Sequence, residues 1–80
     1  MARVKVLLPQ WGMGMSEGTI VKWLKAVGDP VTEDEPLAEI EAEKTTEVIE
    51  SPSAGVLIEI LELEGKVVPV RTSVAIIEKA

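Results

Sequence analysis

Apolar and polar residues alternate along most of this chain, and the alternation has a period of two. In the middle of the chain Ala38, Ile40 and Ala42 alternate with glutamates, which is the pattern of a half-buried β-strand with one solvated face. The stretch 46–49 alternates in the same way and is rich in β-branched residues. Two strands joined by so short a connection must pair antiparallel. No stretch has the sustained spacing of an amphipathic helix, so the pattern predicts an all-β fold.

The connection between these two strands is acidic and contains one lysine, Lys44, between Glu43 and Thr45. It lacks the Asn-Gly or Asp-Gly pair of a two-residue primed turn, so we expect a slightly longer type I loop. Lys44 then lies at the tip of a hairpin. A lysine in a turn is usually a solvated surface charge, so a function for Lys44 needs support from the rest of the chain.

The second half of the chain repeats the first with an offset of 37 residues (55 − 18). Identical residues coincide at Gly18/Gly55, Leu24/Leu61, Gly28/Gly65, Val31/Val68, Ala38/Ala75, Ile40/Ile77 and Glu41/Glu78. Each half contains about four strands bounded by glycine, proline and polar turns. The repeat predicts a flattened barrel or sandwich of two four-stranded antiparallel sheets with internal pseudo-two-fold symmetry, a barrel-sandwich hybrid.

The repeat also predicts where the lysine lies. The same offset carries Lys44 to position 81 (44 + 37), just beyond the last residue, so we expect its hairpin at the end of the sandwich opposite the C-terminus. The first half has six extra residues before Gly18, which form a loop at 10–15 that we expect near the hairpin. This loop contains Trp11, Met13 and Met15, which are candidates either for contacting a partner protein or for packing beneath the loop.

Composition narrows the classes of function. The 80 residues make one small domain, 1–80, with no room for an enclosed active site. The chain has no cysteine and no histidine, so we expect no catalytic residue and no metal site. A net charge of −6 disfavours nucleic acid and anionic membranes as partners. No apolar run suggests a membrane span or a signal peptide, which predicts a cytoplasmic location or an equivalent one such as the mitochondrial matrix.

Five segments in this order and spacing resemble the lipoyl domain of the acyltransferase (E2) component of 2-oxoacid dehydrogenase complexes. They are the residues 8–9, 15–20, 23–31, 43–45 and 51–56, and the resemblance extends over essentially the whole chain. In that family the hairpin lysine carries lipoic acid in amide linkage, so the resemblance implies a lipoyl group on Lys44. It also implies that Glu43 and Thr45, which replace the usual Asp and Ala, are recognised by the lipoylating enzyme.

The resemblance implies a carrier that is not catalytic by itself and that belongs to a dihydrolipoamide acyltransferase. Its expected partners are a lipoate ligase or lipoyl transferase, a thiamine-diphosphate-dependent E1, the E2 catalytic domain and the E3 flavoprotein dihydrolipoamide dehydrogenase. The 2-oxoacid stays open, because 10–12 looks like acetoin-cleaving complexes while 18–20 and 23–24 look like pyruvate-type ones.

Two other functions stay open on the sequence. A biotin carboxyl carrier domain shares the fold and also presents a lysine on a hairpin, but methionines typically flank that lysine, where this chain has Glu43 and Thr45. The other alternative is an unmodified β-sandwich interaction module whose repeat reflects duplication alone.

Overall fold

Eight β-strands make up the regular structure of the residues that the structure describes, which are 2–42 and 45–79. In this computed structural model the strands are β1 (Arg3–Leu7), β2 (Glu17–Trp23), β3 (Pro30–Val31), β4 (Pro36–Ala42), β5 (Thr45–Glu50), β6 (Gly55–Ile60), β7 (Val67–Pro69) and β8 (Ser73–Lys79). They form two four-stranded antiparallel sheets, with strand orders β1-β8-β6-β3 and β5-β4-β2-β7. The predicted all-β sandwich is confirmed.

An internal two-fold relation organises the two sheets. The two-fold relation exchanges each strand of the first half with the strand four places later, so that β1 exchanges with β5 and β4 with β8. This exchange converts the strand order of one sheet into that of the other. Irregularities of pairing repeat as well, since the register shift between Ile20 and Lys22 recurs 37 residues later between Leu57 and Glu59. The repeat in the sequence is therefore a duplication of structure, down to the position of a β-bulge.

The turns that follow β2 and β6 carry the chain from one sheet to the other. The Gly28 N–H donates to the Leu57 carbonyl at 2.7 Å, and the related Gly65 N–H donates to the Ile20 carbonyl at 2.7 Å. Both glycines have a positive φ, 98° and 88°, which residues with a side chain rarely adopt. The turn of each half is thus hydrogen-bonded to a strand of the other half.

The core lies between the sheets and consists of aliphatic side chains. Its fully buried members include Val6, Leu8, Ile20, Leu37, Ile40, Ile49, Leu57, Val68, Val74 and Ile77. Trp23 and Ile60 pack against the core while remaining partly exposed. The Trp23 indole N–H reaches the Glu62 carbonyl at 2.9 Å, which explains why the ring lies at the edge, where its polar atom has a partner.

Glycine at the start of β2 and β6 allows strands to approach closely. A Cβ at Gly18 would lie 2.8 Å from the Ile40 methyl group, and one at Gly55 would overlap the Glu78 carbonyl oxygen. A side-chain methyl can move aside, but a backbone carbonyl within a sheet cannot do so without breaking its ladder. Gly55 is therefore the stricter of the two requirements.

One ion pair connects the turn after β2 with the turn before β4. Lys25 Nζ lies 2.6 Å from Glu35 Oε2. The hydrogen bond from Lys25 lowers the pKa of Glu35, helped by the Thr32 N–H, and the same side-chain bond raises the pKa of Lys25. The second half has Glu62 and Thr72 at the equivalent positions (25 + 37 and 35 + 37), so the pair is particular to the first half.

We expect Gly55→Ala to lower the free energy of unfolding by about 2 kcal/mol or more, because the added methyl group must displace backbone. Urea titration followed by tryptophan fluorescence measures this. Gly12→Ala is the matched control, since no atom lies within 4 Å of the added Cβ, and its unfolding midpoint should match that of the parent protein. A Gly55→Ala protein as stable as the control would contradict the close strand approach.

We expect Glu35→Gln to lower the melting temperature slightly at neutral pH, because the amide keeps the acceptor for Thr32 but loses the charge that pairs with Lys25. A lowered folded-state pKa of Glu35 stabilises the fold above the unfolded-state pKa of glutamate. The difference between the proteins should therefore disappear as the pH falls through the folded-state pKa. Both side chains are about a quarter exposed, so the effect should also shrink in high salt.

Candidate functional site

The hairpin formed by β4 and β5 carries the candidate lysine. Its strands pair from Pro36 with Glu50 to Ala42 with Thr45, so the chain between the last paired residues is two residues long. This connection is shorter than the sequence predicts. Glu43, Lys44 and the expected type I turn lie outside the described residues.

Ala42 and Thr45, the residues on either side of the hairpin connection, and the end of β8 lie at opposite ends of the sandwich. β5 runs away from Thr45 for six residues, about 17 Å at the rise of a β-strand. The chain then passes through 51–54 into β6, whose first residue, Gly55, pairs with Lys79. Ala42 and Thr45 are therefore remote from Lys79, in agreement with the geometry that the repeat predicts.

The loop 10–15 lies beside the hairpin, as the repeat also predicts. The two segments line a solvent-open cleft of about 170 Å³. Its lining consists of Trp11, Gly12, Met13, Met15, Ala42, Thr45 and Glu47. The cleft thus combines four residues of the loop with the residues on either side of the hairpin connection.

The three candidate side chains of the loop occupy different environments. Met15 is only 8% exposed and belongs to the core, whereas Met13 is 99% exposed. Trp11 is half-buried and packs against the core from outside. The structure therefore gives Met15 the packing role, leaves Met13 available for contact with another molecule, and places Trp11 between the two.

Acidic residues surround this end of the sandwich. Glu17 and Glu41 are exposed and line a second open cleft of about 400 Å³ on the β2 side of the loop. On the hairpin, Glu47 accepts a hydrogen bond from the Thr45 hydroxyl at 3.1 Å. Within 2–42 and 45–79 no group of three or more acidic side chains could hold a metal ion.

Sequence reasoning missed one residue near this site. Arg71 Nη2 donates to Gln10 Oε1 at 3.2 Å, and Gln10 Nε2 donates to the Gly12 carbonyl at 3.3 Å. The two bonds connect the turn before β8 to the loop. The repeat in the sequence could have drawn attention to Arg71. It aligns Arg71 with Asp34 (34 + 37), so a long basic side chain in the second half replaces a short acidic one in the first.

Comparison with known families identifies the fold. The family model described as "Biotin-requiring enzyme" (Biotin_lipoyl) matches residues 4–77. This match includes the β4–β5 hairpin and all but three residues at each end of the given sequence. The chain belongs to this biotinyl/lipoyl family. The two sheets and the hairpin between β4 and β5 are therefore the features of a biotinyl/lipoyl domain.

Two relatives of this biotinyl/lipoyl domain are acyltransferase components. The dihydrolipoyllysine-residue acetyltransferase component of the pyruvate dehydrogenase complex of Mycobacterium bovis is 48% identical over 65 residues, which are 81% of this chain and 12% of that protein. The corresponding component of the acetoin cleaving system of Bacillus subtilis is 44% identical over 77 residues, which are 96% of this chain and 19% of that protein. The chain thus spans less than a fifth of the length of these relatives.

Solved structures of both branches of the family are similar to the domain. The lipoyl domain of the 2-oxoglutarate dehydrogenase complex of Azotobacter vinelandii superposes with a TM-score of 0.72 at 26% identity, and the match covers 100% of both chains. The urea carboxylase of Kluyveromyces lactis gives a TM-score of 0.82 at 27% identity, over 98% of this chain and 6% of that one. No helix long and apolar enough to cross a membrane is found in the described part of the chain.

We expect Met15→Ala to lower the free energy of unfolding by about 2 kcal/mol or more, because the substitution empties a buried site beneath the loop. Met13→Ala should leave it unchanged, since that side chain is almost fully solvated. Paired urea titrations of the two variants measure the difference. Equal losses of stability would show that Met13 also packs in solution.

Proposed function

We propose that this biotinyl/lipoyl domain is a lipoyl carrier, with Lys44 as the attachment point and Glu43 and Thr45 as flanks read by the lipoylating enzyme. The observation that carries the proposal is the position of residue 44 in the chain. Residue 44 belongs to the two-residue connection between the paired residues Ala42 and Thr45, and both of these lie at the end of the sandwich remote from Lys79. The names of the acetyltransferase relatives, which specify a dihydrolipoyllysine residue, support lipoate as the attached group.

The surroundings of the connection fit an attached arm. Thr45 and Thr46 are exposed, and the cleft beside them is open to solvent. A free lysine amine has a reference pKa of about 10.4, so it must lose a proton before it attacks an activated carboxyl group. The amide that forms carries no charge, and the net charge of the domain changes from −6 to −7.

The domain supplies position and recognition, and the cofactor supplies the chemistry. When attached, the lipoyl group provides a disulfide that can accept an acyl group together with two electrons. We propose that the domain is one part of a longer acyltransferase and serves a thiamine-diphosphate-dependent E1, an E2 catalytic domain and an E3 flavoprotein. Tethering converts each encounter into an intramolecular one at high effective concentration, so weak recognition by each partner is sufficient.

A biotin carrier is the second candidate, and the likeness to urea carboxylase favours it. Fold alone does not separate the two cofactors, because both branches of the family share it. The residues beside the lysine support lipoate, since Glu43 and Thr45 stand where biotinyl domains typically have methionines. The relatives at 48% and 44% identity are also acyltransferase components.

We expect lipoate ligase, lipoate and ATP to add one lipoyl group to the purified domain, with a lipoyl-sized gain in mass and faster migration towards the anode in a native gel. Lys44→Ala should abolish the gain. Lys22→Ala is the matched control, because Lys22 is an exposed lysine within β2, and it should be modified like the parent protein. A parallel reaction contains biotin ligase and biotin. Modification by biotin alone, or by neither cofactor, would overturn the proposal.

A further inference from the structure

Arg71 adopts a backbone conformation that arginine rarely takes. Its φ is 68°, in the left-handed region that favours glycine and, less strongly, asparagine and aspartate. The symmetry-related residue, Asp34, has a φ of 69° and is one of the residue types that tolerate this region. The fold therefore demands the same turn twice, and at the second place the sequence uses a residue that suits it poorly.

The backbone bonds at the two turns do not explain the arginine. The Arg71 N–H donates to the Leu8 carbonyl at 2.8 Å, and the Leu8 N–H donates to the Thr72 carbonyl at 3.0 Å. In the other half the Asp34 N–H donates to the Ser51 carbonyl at 2.8 Å, and the Ser51 N–H donates to the Glu35 carbonyl at 2.8 Å. The two turns make equivalent main-chain bonds, so neither needs a particular side chain for them.

The two halves differ in the segment of chain that comes after the residues bonded to these turns. After Leu8 the first half has the loop 10–15, while after Ser51 the second half has a short turn into β6. The Arg71 side chain reaches this loop, where its guanidinium donates to Gln10 Oε1, and Gln10 in turn donates to the Gly12 carbonyl. The arginine thus occurs at the one of the two equivalent turns that faces the inserted loop.

We propose that Arg71 is a positioning residue that holds the loop 10–15 beside the hairpin through Gln10, and that it thereby sets recognition of the domain by the acyl-donating E1. The proposal rests on the proposed carrier function. Gly12 and Met13 line the cleft next to Thr45, so the segment that Arg71 restrains borders the residue that follows the proposed attachment point in the sequence. A restrained loop loses less conformational freedom when a partner binds, which strengthens binding without touching the chemical step.

Arg71→Gly and Asp34→Gly form the matched pair that tests this role. Both variants place glycine at a turn with positive φ, so both should fold and be as stable as the parent protein or more so. Only Arg71→Gly removes the bond to the loop. Gln10→Ala removes the same link from the other side without altering a turn, and the double variant Arg71→Gly with Gln10→Ala should add nothing to either single change.

The first measurement needs no cofactor. Backbone ¹⁵N relaxation of the unmodified domain reports order parameters for the amides of Gly12, Met13 and Gly14. We expect these to fall in Arg71→Gly and Gln10→Ala and to stay at parent values in Asp34→Gly. Unchanged order in Arg71→Gly, or an equal fall in Asp34→Gly, would overturn the positioning role.

The second measurement uses the lipoylated variants as substrates of a pyruvate dehydrogenase E1 with pyruvate and, in parallel, an acetoin-cleaving E1 with acetoin. With the E1 that acylates the parent domain, we expect the KM of Arg71→Gly to rise about threefold with kcat unchanged, the loss suited to one exposed hydrogen bond. An unchanged KM, or an equal rise in Asp34→Gly, would overturn the role in recognition. If the parent domain is not lipoylated, the carrier proposal fails. If it is lipoylated but neither E1 acylates it, the proposed role in recognition by these E1 enzymes is overturned. In both cases the relaxation data still decide whether Arg71 holds the loop.

Discussion

The crossing of the chain between the two sheets is the constraint on which the rest of the structure depends. The Gly28 and Gly65 N–H groups each donate to a carbonyl in the opposite half, so neither half can complete its turn alone. These bonds fix how the sheets face one another, and the aliphatic core fills the space between them. Where two backbones approach closely, as at Gly55, the arrangement leaves no space for a side chain, so the position requires glycine.

Duplication explains why a small chain can build a rigid end for presenting a group. The bulges, the left-handed turns and the crossing bonds all occur twice. The residues to which we assign the proposed function are departures from this symmetry: the loop 10–15, the Arg71 side chain and the acidic connection that contains Lys44. A duplicated framework supplies stability from both halves, while the unduplicated parts cluster at one end and are free to specialise.

Much of this fold can be predicted from local patterns in the sequence, and the exceptions have identifiable causes. Alternation and glycine-bounded turns predict the strands and the repeat, because these signals are local. The burial of Met15 could not be predicted, since methionine suits either a core or a contact surface. Trp23 lies at the core edge because its indole needs an acceptor, which the distant Glu62 supplies. The Arg71 to Gln10 bond joins residues 61 positions apart, beyond the reach of any periodicity.

The first and last described residues lie side by side, because the Lys79 N–H donates to the Ala2 carbonyl at 2.8 Å. Polypeptide attached to either terminus would therefore leave from the same end of the sandwich, opposite to the end where Ala42 and Thr45 lie. Chain attached at these ends would therefore not cross Ala42 and Thr45, the residues on either side of the hairpin connection. The same adjacency of ends makes the fold suited to circular permutation, in which the cut could be made at another turn and the old ends joined.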